Sequence, residues 1–215
     1  MKMVTNAAGR GVPTEINGEP VIPYKGVNGH RVDGRKHGPP VPTCADFPSD
    51  GNKLAGSLEP ASESPLHLAV YQKRPDVMAI AHTHSPMVVT LSIAGVPLRT
   101  VENQGASVIG KEAPVFEKYG LVDSFELGRE LAQVMGSHNF CVLKSHGNLV
   151  AGKSIEEVCV HAIWGEKAAR YQYQAMLLGE PHWYPEKEIE KMIQQQIRGK
   201  GFVRTWNYYK WKITR

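Results

Sequence analysis

His82-Thr83-His84 and His146-Gly147 are the residues of this chain best suited to chemistry. Two histidines two positions apart on a strand point the same way, because side chains alternate faces along extended backbone. A third imidazole from a distant segment, His146, could close a three-nitrogen site. Such a site holds zinc or a similar divalent ion and leaves a position for water or substrate. Glu63 stands upstream in Ala61-Ser62-Glu63-Ser64-Pro65-Leu66-His67. Three imidazoles and one carboxylate are the components of metal-assisted acid–base chemistry. The remaining histidines have a plainer reading: His30, His37, His138, His161 and His182 are taken as packing or surface residues. His67 is four residues after Glu63, on the same helix face, and either steadies the carboxylate or packs. His82, His84 and His146 differ because each ends or follows a strand-like run, where side chains meet in a crevice. Burying imidazoles there without a partner costs desolvation energy, which a shared ion removes.

The elements around these residues follow from local pattern. Leu66, Ala69 and Val70 recur at helical spacing, so Glu63 to Lys73 reads as a helix with Pro65 in its first turn and Arg74-Pro75-Asp76 after it. Val77 to Thr83 reads as a buried strand, and Ser85-Pro86 as the start of a helix to about Ile93. Ser124 caps a helix through Met135; Phe140 to Leu143 and Leu149 to Ala151 are short strands on either side of a His146-Gly147-Asn148 turn. Ser154 with Glu157 forms a capping box that opens the longest helix, which Gly179 ends. Pro185 to Ile197 is a further helix. Strands alternating with helices predict a layered α/β or α+β domain.

The first part of the chain has another character. Residues 1–60 hold nine of the 21 glycines and eight of the 15 prolines, a density that forbids long helices; Val21 to Tyr24 is the only strand-like run there. We therefore divide the chain at residue 59, into an atypical N-terminal segment (1–59) and a layered domain (60–215). With 41% hydrophobic and 21% charged residues there is enough apolar material for a core, and a net charge of +4 does not by itself imply nucleic acid or a membrane surface. No run approaches the roughly 18 apolar residues that would span a bilayer. Cys44, Cys141 and Cys159 are odd in number and form no C-x-x-C pair, which fits a reduced, cytoplasmic protein.

Ala61-Ser62-Glu63, His67, Arg74-Pro75-Asp76-Val77 and His82-Thr83-His84-Ser85-Pro86 together resemble the class II aldolase/adducin family. So does His146-Gly147-Asn148-Leu149-Val150-Ala151-Gly152 with the long helix behind it, so that the resemblance covers about residues 60–182. It implies a three-layer α/β/α fold and a homo-oligomer, a tetramer in that family's usual form. By the same resemblance His82, His84 and His146 would be the metal ligands and Glu63 the acid–base carboxylate. The cofactor would be one divalent ion per chain, Zn2+ on ligand type, with Mn2+ or another divalent ion left open. The reaction would be carbon–carbon cleavage through a metal-stabilised carbanion, either aldol cleavage of a hydroxy-carbonyl substrate or decarboxylation of a hydroxy-acid.

Three departures qualify what that resemblance implies. The helix, Gly-Asn turn and Ser/Thr-Gly loop with which the sugar-phosphate enzymes begin are not found, and of the usual serine pair before the glutamate only Ser62 remains. Residues 6–10, 12–16 and 53–59 instead resemble the extreme N-terminus of citrate lyase α subunits, as in a fusion. The C-terminal Phe202 to Trp211 stretch is aromatic and basic. A nucleic-acid groove is one reading of it. We prefer a helix packed at a subunit or active-site edge, with Arg204 or a tyrosine meeting an anionic substrate. The expectation is therefore a metal-dependent lyase with no nucleic-acid or membrane partner, with Ser62 and Arg204 as substrate contacts. The alternatives are a non-catalytic adducin-like scaffold and an inactive fusion product.

Overall fold

The apolar run ahead of the paired histidines becomes the buried middle of a mixed sheet. The computed structural model describes residues 61–198 and 201–213, together with the backbone of four short strands ahead of them. In chain order the elements are β1 (Met3–Asn6), β2 (Glu15–Ile16), β3 (Glu19–Lys25), β4 (Cys44–Pro48), α1 (Ser64–Lys73), β5 (Ala79–Thr83), α2 (Pro86–Ile93) and α3 (Asn103–Ile109). They continue with β6 (Val115–Phe116), α4 (Phe125–Met135), β7 (Phe140–Leu143), β8 (Gly147–Gly152), α5 (Ile155–Leu178), α6 (Glu186–Arg198) and α7 (Gly201–Ile213). The main sheet has the order β1-β5-β8-β7-β6, and a second has the order β2-β3-β4. His30, His37 and the residue 53–59 resemblance lie outside the described residues.

β5 is antiparallel to β1 and β8, so all five of its residues are covered. The side chains of a strand buried on both faces run continuously apolar rather than alternating. Ile80, Leu149 and Cys141 face α1 and α4 with Leu66, Val70 and Leu131. Ala79, Ala81, Val142 and Val150 face the other way, against α2, α3 and α5 with Val88, Val108, Val158 and Ala168. This is the expected three-layer α/β/α arrangement. One row of the sheet runs Met3, His82, Leu149, Cys141 across four strands. Burial pushes the Cys141 thiol up to about 12.

Two close approaches set the layer spacing. A side-chain carbon at Gly128 would come within 2.7 Å of the Pro65 carbonyl oxygen, so α4 crosses α1 almost backbone to backbone. One at Gly165 would meet the Phe140 ring at 2.4 Å, so α5 lies directly on β7. Arg74 ties the end of α1 to the end of α4: it pairs with Asp76 through two nitrogens at 2.8 and 2.7 Å and donates to the carbonyls of Gly136 and His138.

The expected helices and strands appear within a residue or two of their predicted ends. Ser124 accepts from Leu127 N and Ser154 from Glu157 N, while the Glu157 carboxylate accepts from Lys153 N. α5 stops at Gly179, whose φ of 148° suits glycine. β1, β2 and β4 were not predicted, since Val21 to Tyr24 was the only strand-like run expected there, and neither were α3 and β6. α3 has seven residues and no apolar repeat, and it is started by Glu102, whose carboxylate accepts from Gln104 N and Gly105 N. β6 has two residues and joins the sheet edge parallel to β7. β1, from the atypical N-terminal segment, pairs along β5. Among the described residues no helix is long and apolar enough to cross a membrane.

Candidate active site

Glu63, His82, His84 and His146 come together at one end of the sheet, with one ligand atom from each within 4.8 Å of the others. The three imidazole rings form a near-equilateral triangle, with centroids 5.0, 4.9 and 4.8 Å apart and each pair edge to face. β5 ends at Thr83, so His82 is in the ladder and His84 lies just past it; their Nε2 atoms still meet at 3.2 Å. Donors of a tetrahedral site with Zn–N bonds near 2.05 Å are separated by about 3.3 Å, so this pair is already spaced to share an ion.

Each side chain is placed by its own local structure. His82 is 1% exposed, and its Nδ1–H donates to the Asn148 carbonyl at 3.2 Å. A carbonyl can only accept, so in the neutral ring this bond fixes the tautomer and leaves the Nε2 lone pair facing the cluster, whereas a protonated ring would point Nε2–H at Glu63. His146 enters through a strained turn: Ser145 has φ 56°, the only non-glycine residue in the left-handed region among those described. Its amide donates to the Ser92 hydroxyl at 3.0 Å. Residues held in such conformations collect at functional sites. Gly147 then lets β8 close against β5, because a side-chain carbon there would sit 2.4 Å from the Thr83 carbonyl oxygen and 3.1 Å from the His84 ring.

Glu63 occupies the N-cap position of α1, yet its carboxylate caps nothing. It turns into the cluster instead, 3.5 Å from His82 Nε2 and 3.5 Å from His146 Nε2, and accepts from Val122 N at 3.3 Å. Burial pushes this carboxyl up, but the His82 hydrogen bond, the charges of His82 and His146 and the Val122 amide outweigh it and hold it at about 2. At neutral pH the group is a carboxylate, able to balance a cation or to accept a proton. His67 lies behind it, fully buried; burial, then the nearby His82, pull its pKa to about 3 against the opposing effect of Glu63. It is therefore a neutral packing residue beside the carboxylate.

Four of the predicted site residues are thus brought together. Ser62 is exposed next to Glu63. Arg204 is exposed on α7, while Tyr209 of the same helix lines a cleft of about 490 Å³ that opens beside His84 and also carries Glu166, Lys167 and Arg170. His161 lies beside Trp164 in α5, the two rings tilted by 32° with centroids 5.9 Å apart. Sequence reading missed the Asn148 carbonyl, the Val122 amide and Glu166. The first two act through backbone, which leaves no mark in a sequence, and Glu166 looks like any polar residue of a long helix.

Residues 43–173 match the family model described as Class II Aldolase and Adducin N-terminal domain, which is more than half of the chain. The chain belongs to that family. It is similar to the 5-methylthioribulose-1-phosphate/5-deoxyribulose-1-phosphate aldolase of Rhodospirillum rubrum, with 26% identity over 140 residues, 65% of this chain and 63% of that one. It is also similar to the 3,4-dihydroxyphthalate decarboxylase of Arthrobacter keyseri, with 29% identity over 136 residues, 61% of this chain and 55% of that one. The matched region therefore spans less than two thirds of either relative. Among solved structures, an L-fuculose 1-phosphate aldolase aligns with a TM-score of 0.67 and 27% identity over 71% of each chain.

Proposed function

We propose that this protein is a metal-dependent carbon–carbon lyase whose ion is held by His82, His84 and His146. The observation that carries this reading is the convergence of three imidazoles and a buried, ionised Glu63 on one point, with the His82 tautomer fixed from behind. When bound, the ion would supply Lewis acidity toward a substrate oxygen and so favour the carbanion left by carbon–carbon cleavage. Zn2+ suits three nitrogen donors, and Mn2+ is the next choice.

The chain's own groups supply the rest. Glu63 accepts and returns the proton, and the Val122 amide keeps one of its oxygens in place. Ser62, exposed beside Glu63, and Arg204 on α7 are the proposed substrate contacts. Lys167, Arg170 and Tyr209 around the neighbouring cleft suit a substrate that carries an acidic group. Aldol cleavage of a hydroxy-carbonyl compound and decarboxylation of a hydroxy-acid would both suit this arrangement, and the relatives include enzymes of both kinds. The reading includes a homotetramer in the cytoplasm; the buried, unreactive Cys141 fits a reducing compartment.

Elemental mass spectrometry of the purified chain tests this. We expect about one divalent ion per chain, and its loss in His146→Ala. A wild-type chain that is empty and takes up neither Zn2+ nor Mn2+ would overturn the reading in favour of an adducin-like scaffold.

A further inference from the structure

His84 is the histidine of the cluster that stands between a strand end and a helix start. His82 lies within β5, between β1 and β8, and His146 is held by the Ser145 turn and the start of β8. His84 follows the last ladder pair, Thr83 with Asn148, and is exposed. Its direction therefore depends on how the chain turns from β5 into α2. The ordinary fastening of that turn is absent: Ser85 is the N-cap residue of α2, but its hydroxyl faces Thr83 Oγ1 at 3.1 Å and caps no amide. Pro86 has no N–H to offer. Met87 N is then the first amide of α2 that needs an acceptor.

The acceptor comes from another helix. Met87 N donates to Glu166 Oε2 at 2.9 Å, a bond between residues 79 apart in sequence. Arg170, one turn further along α5, donates to the other oxygen of the same carboxylate at 3.2 Å. A carboxylate at the first turn of a helix is also favoured by the helix dipole. Glu166 and His84 line the same cleft, so the anchor and the residue it would steer are neighbours.

We propose that Glu166 is a positioning residue for the metal site: by capping α2 from α5 it fixes the Ser85-Pro86-Met87 turn and so aims His84 at the ion. The proposal rests on His84 being a ligand. Without the acceptor, the turn still forms but His84 samples more directions, and the cost falls on metal binding rather than on the fold. Lys167 and Gln104 are not part of this anchor, since the Lys167 ammonium donates to Gln104 Oε1 at 2.6 Å.

Two variants separate these effects. Glu166→Gln keeps a carbonyl acceptor; Glu166→Met keeps the length and packing and removes it. Zn2+ affinity is measured by competition with a chelator, Co2+ uptake by its absorption spectrum, and folding by thermal melting followed by circular dichroism. We expect Glu166→Gln to bind within about twofold of wild type and Glu166→Met to bind about tenfold more weakly with a changed Co2+ spectrum, the scale on which outer-shell partners act. A Glu166→Met chain with wild-type affinity and spectrum would overturn the proposal. So would a Glu166→Met chain that fails to fold, because the residue would then be structural. A wild-type chain that binds neither ion removes the functional reading and this inference together, an outcome the wild-type titration alone reveals.

Discussion

At the residue scale, Glu63 and His67 titrate far from their ordinary ranges, and this makes the metal-free protein sensitive to acid. His67 is neutral in the fold down to about pH 3, against an ordinary value of 6.5. Between those values the unfolded chain holds a proton that the native chain does not, so native stability falls as the pH drops through that window. Glu63 works in the same direction in a lower one: its stabilising charge is present above the ordinary value of 4.5 and is lost as the pH falls toward about 2. Urea midpoints of the metal-free chain, measured across pH 3 to 6.5, should therefore fall less steeply in His67→Gln than in wild type. Equal slopes would show that the fold does not hold His67 neutral. The four residues of the cluster were legible in the sequence, because imidazoles and a carboxylate stood at strand and helix ends. Their partners were not. The Asn148 carbonyl that sets the His82 tautomer and the amide that holds Glu63 belong to the backbone, and only the three-dimensional path of the chain brings them to the site.

At the element scale, the turn from Ser145 to Gly147 brings one ligand segment onto another. A methyl group at Gly147 would meet the Thr83 carbonyl oxygen, which is backbone of the last ladder pair between β5 and β8 rather than a flexible side-chain end. Gly147→Ala should thus cost about 1–3 kcal/mol as overpacking and, by pushing β8 from β5, separate His146 from His82 and His84. Denaturant melts and a Zn2+ titration check this; metal affinity equal to that of wild type would refute the link between strand closure and the site. Elements that carry their own chemistry were readable: Ser154 and Glu157 announce α5 and Gly179 ends it, and Ser85-Pro86 marks the start of α2. α3 was not readable because its start signal is a glutamate rather than a serine or aspartate, and its residues include Gly105 and Ser107, which suit loops as well. β6 is two residues long, too short for any alternation to show. His84 lies just beyond the strand end, as the Val77 to Thr83 reading left it, and on our proposal the cap of α2 rather than the ladder sets its direction.

At the scale of the whole molecule, apolar side chains remain on the outside at the end of α5 and along α7. Leu178 is 92% exposed, Leu177 68% and Ile213 78%. Large exposed apolar residues suit surfaces that bury against something, and the proposed homotetramer would cover them with further copies of the chain. Light scattering behind size exclusion should give about four chain masses; a monomer across micromolar concentrations would remove that part of the reading. The division of the chain at residue 59 came from composition alone, which records where turns are dense but not which strands pair. The backbone of β1 adds an edge to the same sheet that carries His82. Cys141 shares that row of the sheet, one strand beyond Leu149. Its thiol is sealed between the sheet and the α1/α4 layer and held protonated, so an alkylating reagent reaches it only when that layer lifts. Glu63 stands at the start of α1 and moves with the same layer. Cys141 is in this way a clock built into the fold: the rate at which it is alkylated counts how often the layer that carries Glu63 comes open, and an ion held at the cluster should slow it.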